Sequence, residues 1–159
     1  MADVDGDGRM DVISACEGKT KSLIVHFAPT WGTYNNVTAW TSATFPKEVV
    51  GDRKWMFSIT FDVNQDGHLD IVSGGKDKDA KVAWLEAPTT NKRDLATWKF
   101  HEITDVGWVM SLVAEDMDGD KDLDIVVSDR RTNAGLQGAW WLENPGANND
   151  QSKPWSHHF

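Results

Sequence analysis

Nineteen of the 159 residues are Asp and only six are Glu, and most of the Asp fall into three stretches that align. These are Asp3-Val-Asp-Gly-Asp-Gly-Arg-Met-Asp-Val-Ile13, Asp62-Val-Asn-Gln-Asp-Gly-His-Leu-Asp-Ile-Val72 and Asp116-Met-Asp-Gly-Asp-Lys-Asp-Leu-Asp-Ile-Val126. Oxygen-bearing side chains at positions 1, 3, 5 and 9 of a tight loop, with a backbone carbonyl at 7, surround one hard cation. Calcium takes six to eight such oxygens, and Gly lets the chain turn sharply around it. The expected ligands are Asp3, Asp5, Asp7 and Asp11 with the Arg9 carbonyl, then Asp62, Asn64, Asp66 and Asp70 with the His68 carbonyl. In the third loop they are Asp116, Asp118, Asp120 and Asp124 with the Asp122 carbonyl. Magnesium fits less well, because it keeps its waters and seldom uses an all-protein cage.

Two other readings of these loops are weaker. An EF-hand needs a bidentate Glu at position 12, and that position holds Ser14, Ser73 and Val127. Asp, Asn and Gly also make ordinary turns. Three loops in register, each with Asp at positions 1, 5 and 9, are more than turn chemistry asks for. The third loop has Lys121 where the others have Gly8 and Gly67, which predicts a strained turn and a weaker site.

The elements around the loops repeat with them, at a period of 59 and then 54 residues. Val82-Ala-Trp-Leu-Glu-Ala-Pro88 matches Ala139-Trp-Trp-Leu-Glu-Asn-Pro145, and Leu23–Pro29 is a degenerate first copy. Trp98–Ile103 matches Trp155–Phe159, with Trp40–Phe45 in the first copy. Apolar runs Trp55–Phe61 and Val109–Ala114 precede the second and third loops. Each run is short, rich in Val, Ile, Trp and Phe, and bounded by Gly, Asn, Asp or Pro, as strands are. The unit is therefore strand A, Asp loop, strands B, C and D. Four-stranded antiparallel units at this period predict an all-β fold of propeller blades. The expected division of this single propeller segment is 1–50 (a first blade lacking its innermost strand A), 51–105 and 106–159. Trp40, Trp98 and Trp155 share one repeat position, and Trp84 and Trp141 another, which marks them as core between blades; Trp140 faces the opposite side of its strand.

Composition excludes several functions. A net charge of −9 leaves no basic footprint for nucleic acid. Sixteen aromatic residues are too many for an acidic disordered tail. No apolar run approaches the length of a membrane span. Cys16 is alone, so neither an internal disulfide nor a cysteine-based zinc site can form. No Ser-His-Asp set, phosphate loop or HExxH site is present, so no catalytic residue is assigned.

The D-x-D-x-D-G-x-x-D-[IV] loop followed by a short β run resembles the FG-GAP/VCBS repeats of secreted and cell-surface β-propellers, including integrin α heads. The W-[LW]-E-x-P and W-x-x-H elements resemble the variety found in secreted bacterial proteins and in enzymes of the aldos-2-ulose dehydratase kind. The resemblance implies three structural calcium ions and an extracellular, cell-surface or periplasmic setting. It leaves function open, since propellers host unrelated activities. The leading expectation is a non-catalytic module that binds a glycan or a protein. The alternative is the propeller portion of a carbohydrate-active lyase or dehydratase.

Strand alternation puts the Asp loops on one face of the propeller. The other face is formed by the loops Gly18–Ser22, Gly51–Lys54, Lys76–Ala80, Thr104–Gly107 and Arg130–Gly138. Trp55 and Trp108, at the entrance to strands A, are the expected ligand-contacting aromatics, with Arg130 and Arg131 as polar partners and Lys76, Asp52 and Asp105 nearby. About three blades cannot close a ring, which takes about four to eight. The expected partners are further blades, from the rest of a longer chain or from another copy of this one.

Overall fold

A computed structural model describes residues 1–131, 137–146 and 154–159. Among the described residues eleven strands run in chain order: β1 Val12–Cys16, β2 Ser22–Phe27, β3 Thr41–Thr44, β4 Lys54–Phe61, β5 Asp70–Lys76, β6 Lys81–Glu86, β7 Lys99–Asp105, β8 Val109–Glu115, β9 Asp124–Asp129, β10 Gly138–Glu143 and β11 Ser156–His158. They form three antiparallel meanders, β1-β2-β3, β4-β5-β6-β7 and β8-β9-β10-β11, and none of the three closes into a barrel. Strands B, C and D of every unit are present, and strand A is present in the second and third. The architecture is all-β, an incomplete propeller arc.

The sheets stack face to face through two apolar layers. Between the first and second sheets lie Leu23, Val25, Phe45, Trp55, Ile71, Leu85 and Trp98. Between the second and third lie Val72, Val82, Trp84, Val109, Ile125, Val127, Trp140 and Trp155. The innermost strands touch in sequence, β1 against β4 and β4 against β8, as in a fan. Gly74 lets β5 also come close to β8: a Cβ there would sit 2.7 Å from a methyl of Val109. Small helical turns precede strand D in the first two units, at Val37–Ala39 and Leu95–Thr97, capped by the side chains of Asn36 and Asp94. Each sets a Trp whose indole N–H reaches back six residues, Trp40 to the Tyr34 carbonyl at 3.0 Å and Trp98 to the Lys92 carbonyl at 2.9 Å.

The repeat position of a Trp does not by itself decide its burial. Trp84 and Trp141 pair with His101 and His158, each stacked at 4.2 Å between ring centroids. Trp84 is covered by the third sheet and is buried, whereas Trp141 faces away from the second sheet and is half-buried. Trp140, on the opposite side of β10, is the one that enters the core. Trp40 is likewise half-buried, on the free flank of the first sheet. Burial tracks the neighbouring sheet.

Candidate functional site

One pattern of hydrogen bonds shapes all three Asp loops. The carboxylate at position 1 accepts from backbone N–H groups later in the loop: Asp3 from Gly6 (2.9 Å), Asp7 (3.0 Å) and Gly8 (2.9 Å). Asp62 accepts from Asp66 (3.0 Å) and Gly67 (2.8 Å), and Asp116 from Gly119 (2.7 Å) and Lys121 (3.2 Å). The position 3 side chain accepts from the N–H of position 5, as Asp5, Asn64 and Asp118 do at 3.1–3.2 Å. Position 5 in turn accepts from position 7, as Asp7, Asp66 and Asp120 do at 2.8–3.0 Å. To make these turns the chain goes left-handed at positions 4 and 6: Gly6 and Gly8, Gln65 and Gly67, Gly119 and Lys121. Lys121 holds φ at 81°, the strain expected where the other loops have Gly.

Position 9 does a second job. Asp11 accepts from Val4 N–H (2.9 Å) and Ala28 N–H (2.8 Å), so one buried carboxylate ties the loop to the end of strand C. Asp70 does the same with Val63 and Ala87, and Asp124 with Met117 and Asn144. Burial raises all three carboxyls above the ordinary range, against the pull of those N–H groups, and Asp70, with Asp66 and Asp62 nearby, is pushed up to about 7. A carboxylate has about four acceptor sites, so each can bind these N–H groups and still face a cation.

The loops gather oxygens but not identically. Asp3, Asp5 and Asp11 bring carboxylate oxygens within 4.8 Å of one another, as do Asp116, Asp118 and Asp120. Asp7, outside the first trio, pairs with Arg9 and, across the sheet boundary, with Arg93. Arg93, from the β6–β7 connection, also reaches Asp5 at 2.6 Å and lies 4.9 Å from the Phe27 ring centroid. In the second loop Asn64 replaces one acid and donates its amide to Asp66 at 3.2 Å. No described donor reaches the carbonyls of Arg9, His68 or Asp122. At Asp122 a buried carboxylate oxygen, Oδ1, also lacks any partner, and burial together with Asp120, Asp124 and Asp118 pushes that carboxyl up to about 6. Crowded hard oxygens and an orphaned buried carboxylate oxygen fit a divalent, oxygen-seeking cation.

The opposite face departs from expectation at one residue. Trp55 is 0% exposed, packed between the first and second sheets edge-on to Phe100, and has no surface left for a ligand. A β-bulge between Trp55 and Phe57 turns its side chain inward. Trp108 keeps part of its surface. The structure brings it together with Lys76, by a β-bridge, and with Arg130, whose N–H donates to the Trp108 carbonyl at 2.9 Å. Arg131 lies 5.0 Å from the same ring. Asp52 instead pairs with Lys21 and Lys47, and Asp105 with Lys81. Residues 132–136 of the Arg130–Gly138 loop lie outside the described residues.

Three features carry no local sequence signal. Arg93 and its carboxylates are 86 and 88 residues apart. Asn144, buried where the other units have Ala28 and Ala87, donates to the Val63 carbonyl at 3.0 Å and so ties the third sheet to the second loop. Glu86 and Glu143 hold His101 and His158 at 2.8 and 2.6 Å, which explains why the W-x-E and W-x-x-H elements recur together: Trp, His and Glu form one stack. The one trace of this in the sequence is Asn144 where the second unit has Ala87.

Among the described residues no helix is long and apolar enough to cross a membrane. No curated protein and no solved structure matches the chain. A family model described as the FG-GAP-like repeat matches residues 62–127, from the first residue of the second Asp loop, through β5 to β8 and the third loop, into β9. Residues 62–127 are thus similar to an FG-GAP-like repeat, and they lie in an all-β arc of three antiparallel sheets.

Proposed function

We propose that the chain is a calcium-stabilised propeller module that works outside the cytoplasm, at a cell surface or in a periplasm, and binds a glycan or a protein without catalysing a reaction itself. The observation that carries this reading is the same hydrogen-bonded loop built three times, with carboxylate oxygens converging in the first and third. Eleven Asp occupy the side-chain ligand positions, so these loops account for the chain's −9 charge. Calcium would be held by the position 1, 3, 5 and 9 side chains and the position 7 carbonyl. It supplies charge neutralisation and fixes the loop; it takes no part in chemistry. Modules of this kind bind calcium with Kd of roughly 10⁻⁴ to 10⁻³ M, which suits extracellular rather than cytosolic calcium.

The three sheets correspond to blades 1–50, 51–105 and 106–159. Further blades would complete them, because Val113 (50% exposed) and Trp141 present on the third sheet the face that Ile59 and Trp84 bury on the second. Those blades come from a longer chain or from a second copy. Native mass measurement in calcium tests both parts. The expected result is about three calcium ions per chain, and a chain that takes up none contradicts the proposal.

A further inference from the structure

On the face opposite the Asp loops, between the first and second sheets, is a cavity of about 490 Å³. That volume lies in the range of about 300–1,000 Å³ typical of small-ligand sites. Five cations line it, Lys21, Arg53, Lys54, Lys76 and Lys78, against three carboxylates, in a chain whose net charge is −9. Lys21 pairs with Asp52, Arg53 with Glu102, Lys54 with Asp77 and Lys76 with Glu17. No carboxylate partners Lys78 among the described residues.

At the Lys76 edge of this cavity stands Trp108. Lys76 Nζ lies 4.4 Å from its ring centroid, and the guanidinium carbons of Arg131 and Arg130 lie at 5.0 and 5.3 Å. Three like charges around one ring repel each other. Among carboxylates, Glu17 offsets Lys76, while Arg131, at 3.5 Å, shares Asp77 with Lys54. Arg130 has none among the described residues, and the ring face is what holds it.

The cluster is fixed from beneath. Asp129, 2% exposed, accepts from the N–H groups of Gly107 (2.9 Å), Trp108 (2.7 Å) and Arg131 (3.1 Å). One buried carboxylate thus sets the backbone under both the aromatic ring and a guanidinium. In the other sheets the position of Asp129 is held by Gly75 and Cys16, and that of Trp108 by Lys54 in the second. The third sheet therefore departs from its own repeat at the two positions that build this cluster, and strand pairing requires neither change.

We propose that the cation-lined cavity and the Trp108 platform together bind a saccharide bearing carboxylate or sulfate groups. The inference rests on the reading of the chain as a binding module and narrows its ligand. The Trp108 ring holds Arg130 and Arg131 at the rim of the cavity, and Arg130 and Lys78 offer charge without the need to break an existing ion pair. A guanidinium fork matches a carboxylate or sulfate through two parallel hydrogen bonds. An anion placed among these cations also relieves their mutual repulsion, so binding weakens as salt screens it.

Calorimetric titration of the calcium-loaded protein tests this with three probes of similar length: an oligogalacturonate, a heparin-type sulfated oligosaccharide and a neutral malto-oligosaccharide. The expected result is that at least one acidic probe binds about tenfold or more tightly than the neutral one, with affinity falling as salt rises, and the two acidic arms decide between carboxylate and sulfate. Arg130→Gln and Lys78→Gln should each weaken binding by about tenfold, a loss of about 1.4 kcal/mol, with an unchanged melting temperature. Trp108→Ala should abolish it. If the neutral probe binds as well as the acidic ones, the glycan-binding reading stands and this inference falls. Wild-type affinity in both charge variants overturns it too, as does a protein that binds none of the three.

Discussion

Lys121 offers the cleanest test of why these loops are built as they are. It holds φ at 81° at a position where the other two loops have glycine, Gly8 at 84° and Gly67 at 87°. A side chain in that left-handed region costs roughly 1–2 kcal/mol, while glycine gives back about 0.5–1 kcal/mol through the freedom of the unfolded chain. Lys121→Gly should therefore stabilise the protein by about 0.5–1 kcal/mol. At this chain length that is a rise of roughly 1–4 °C in melting temperature. The loop's own geometry agrees, because the Lys121 N–H reaches Asp116 at 3.2 Å, whereas Gly8 and Gly67 reach Asp3 and Asp62 at 2.9 and 2.8 Å. Removing a cation from an acidic loop works the other way, so Lys121→Gln serves as the control: it drops the charge and keeps the Cβ. The gain should appear as the difference between the Gly and Gln variants in denaturant and thermal melts. In the reverse direction, Gly8→Ala and Gly67→Ala should each cost about 1 kcal/mol, purely through backbone conformation, since a Cβ at either position would meet nothing within 4 Å. If the Gly variant is no more stable than the Gln variant, strain at Lys121 is not what distinguishes the third loop.

Other expectations follow from particular contacts. Arg93→Gln should cost about 0.2–1 kcal/mol in chelator, the range for a partly exposed ion pair, and should tighten calcium binding at the first loop because a competing guanidinium is gone; titration of the single variant reads both. In chelator, stability should fall as pH rises from about 4 to 7. Asp70 and Asp122, pushed up by burial to about 7 and about 6, hold a proton longer folded than unfolded, so the stability they lend is full below the unfolded value near 4 and lost as pH passes the folded values. Millimolar calcium should remove that fall, because binding needs the ionised ligands, and a chelated protein that gains stability over the same range would contradict it. Trp84→Ala should cost about 3–5 kcal/mol, as for a buried Trp, whereas Trp141→Ala, at the same repeat position but half-exposed, should cost much less in equilibrium denaturation.

The period of the Asp loops and the composition of the runs between them made the strand order and the three meanders legible in the sequence. The turn of each Asp loop was legible because its shape is set by near neighbours, as the bonds from positions 1, 3 and 5 to N–H groups two to five residues on show. Which way a residue near a strand end points was not. The β-bulge between Trp55 and Phe57 breaks the alternation that a period of two assumes, and a matching bulge lies between Val109 and Ser111. Nor was the contrast between Trp84 and Trp141 legible, since it depends on which sheet has a neighbour. Contacts such as Arg93 to Asp5 join residues 88 apart, where no periodicity reaches. Asp129 reads in sequence as one more Asp after a strand; its role appears only when its two oxygens are seen under Gly107, Trp108 and Arg131.

If the Asp loops are calcium sites that hold the arc together, calcium sets much of the fold's stability. At about 1 mM calcium, a site with Kd near 10⁻⁴ M adds roughly 1.4 kcal/mol to folding, and three add about 4 kcal/mol. A thermal melt followed across a calcium titration, with chelator at one end and magnesium as the comparison ion, reads this directly. The melting temperature should climb by roughly 10 °C between chelator and millimolar calcium, and magnesium at the same concentration should move it far less. A melting temperature indifferent to chelator would contradict the account.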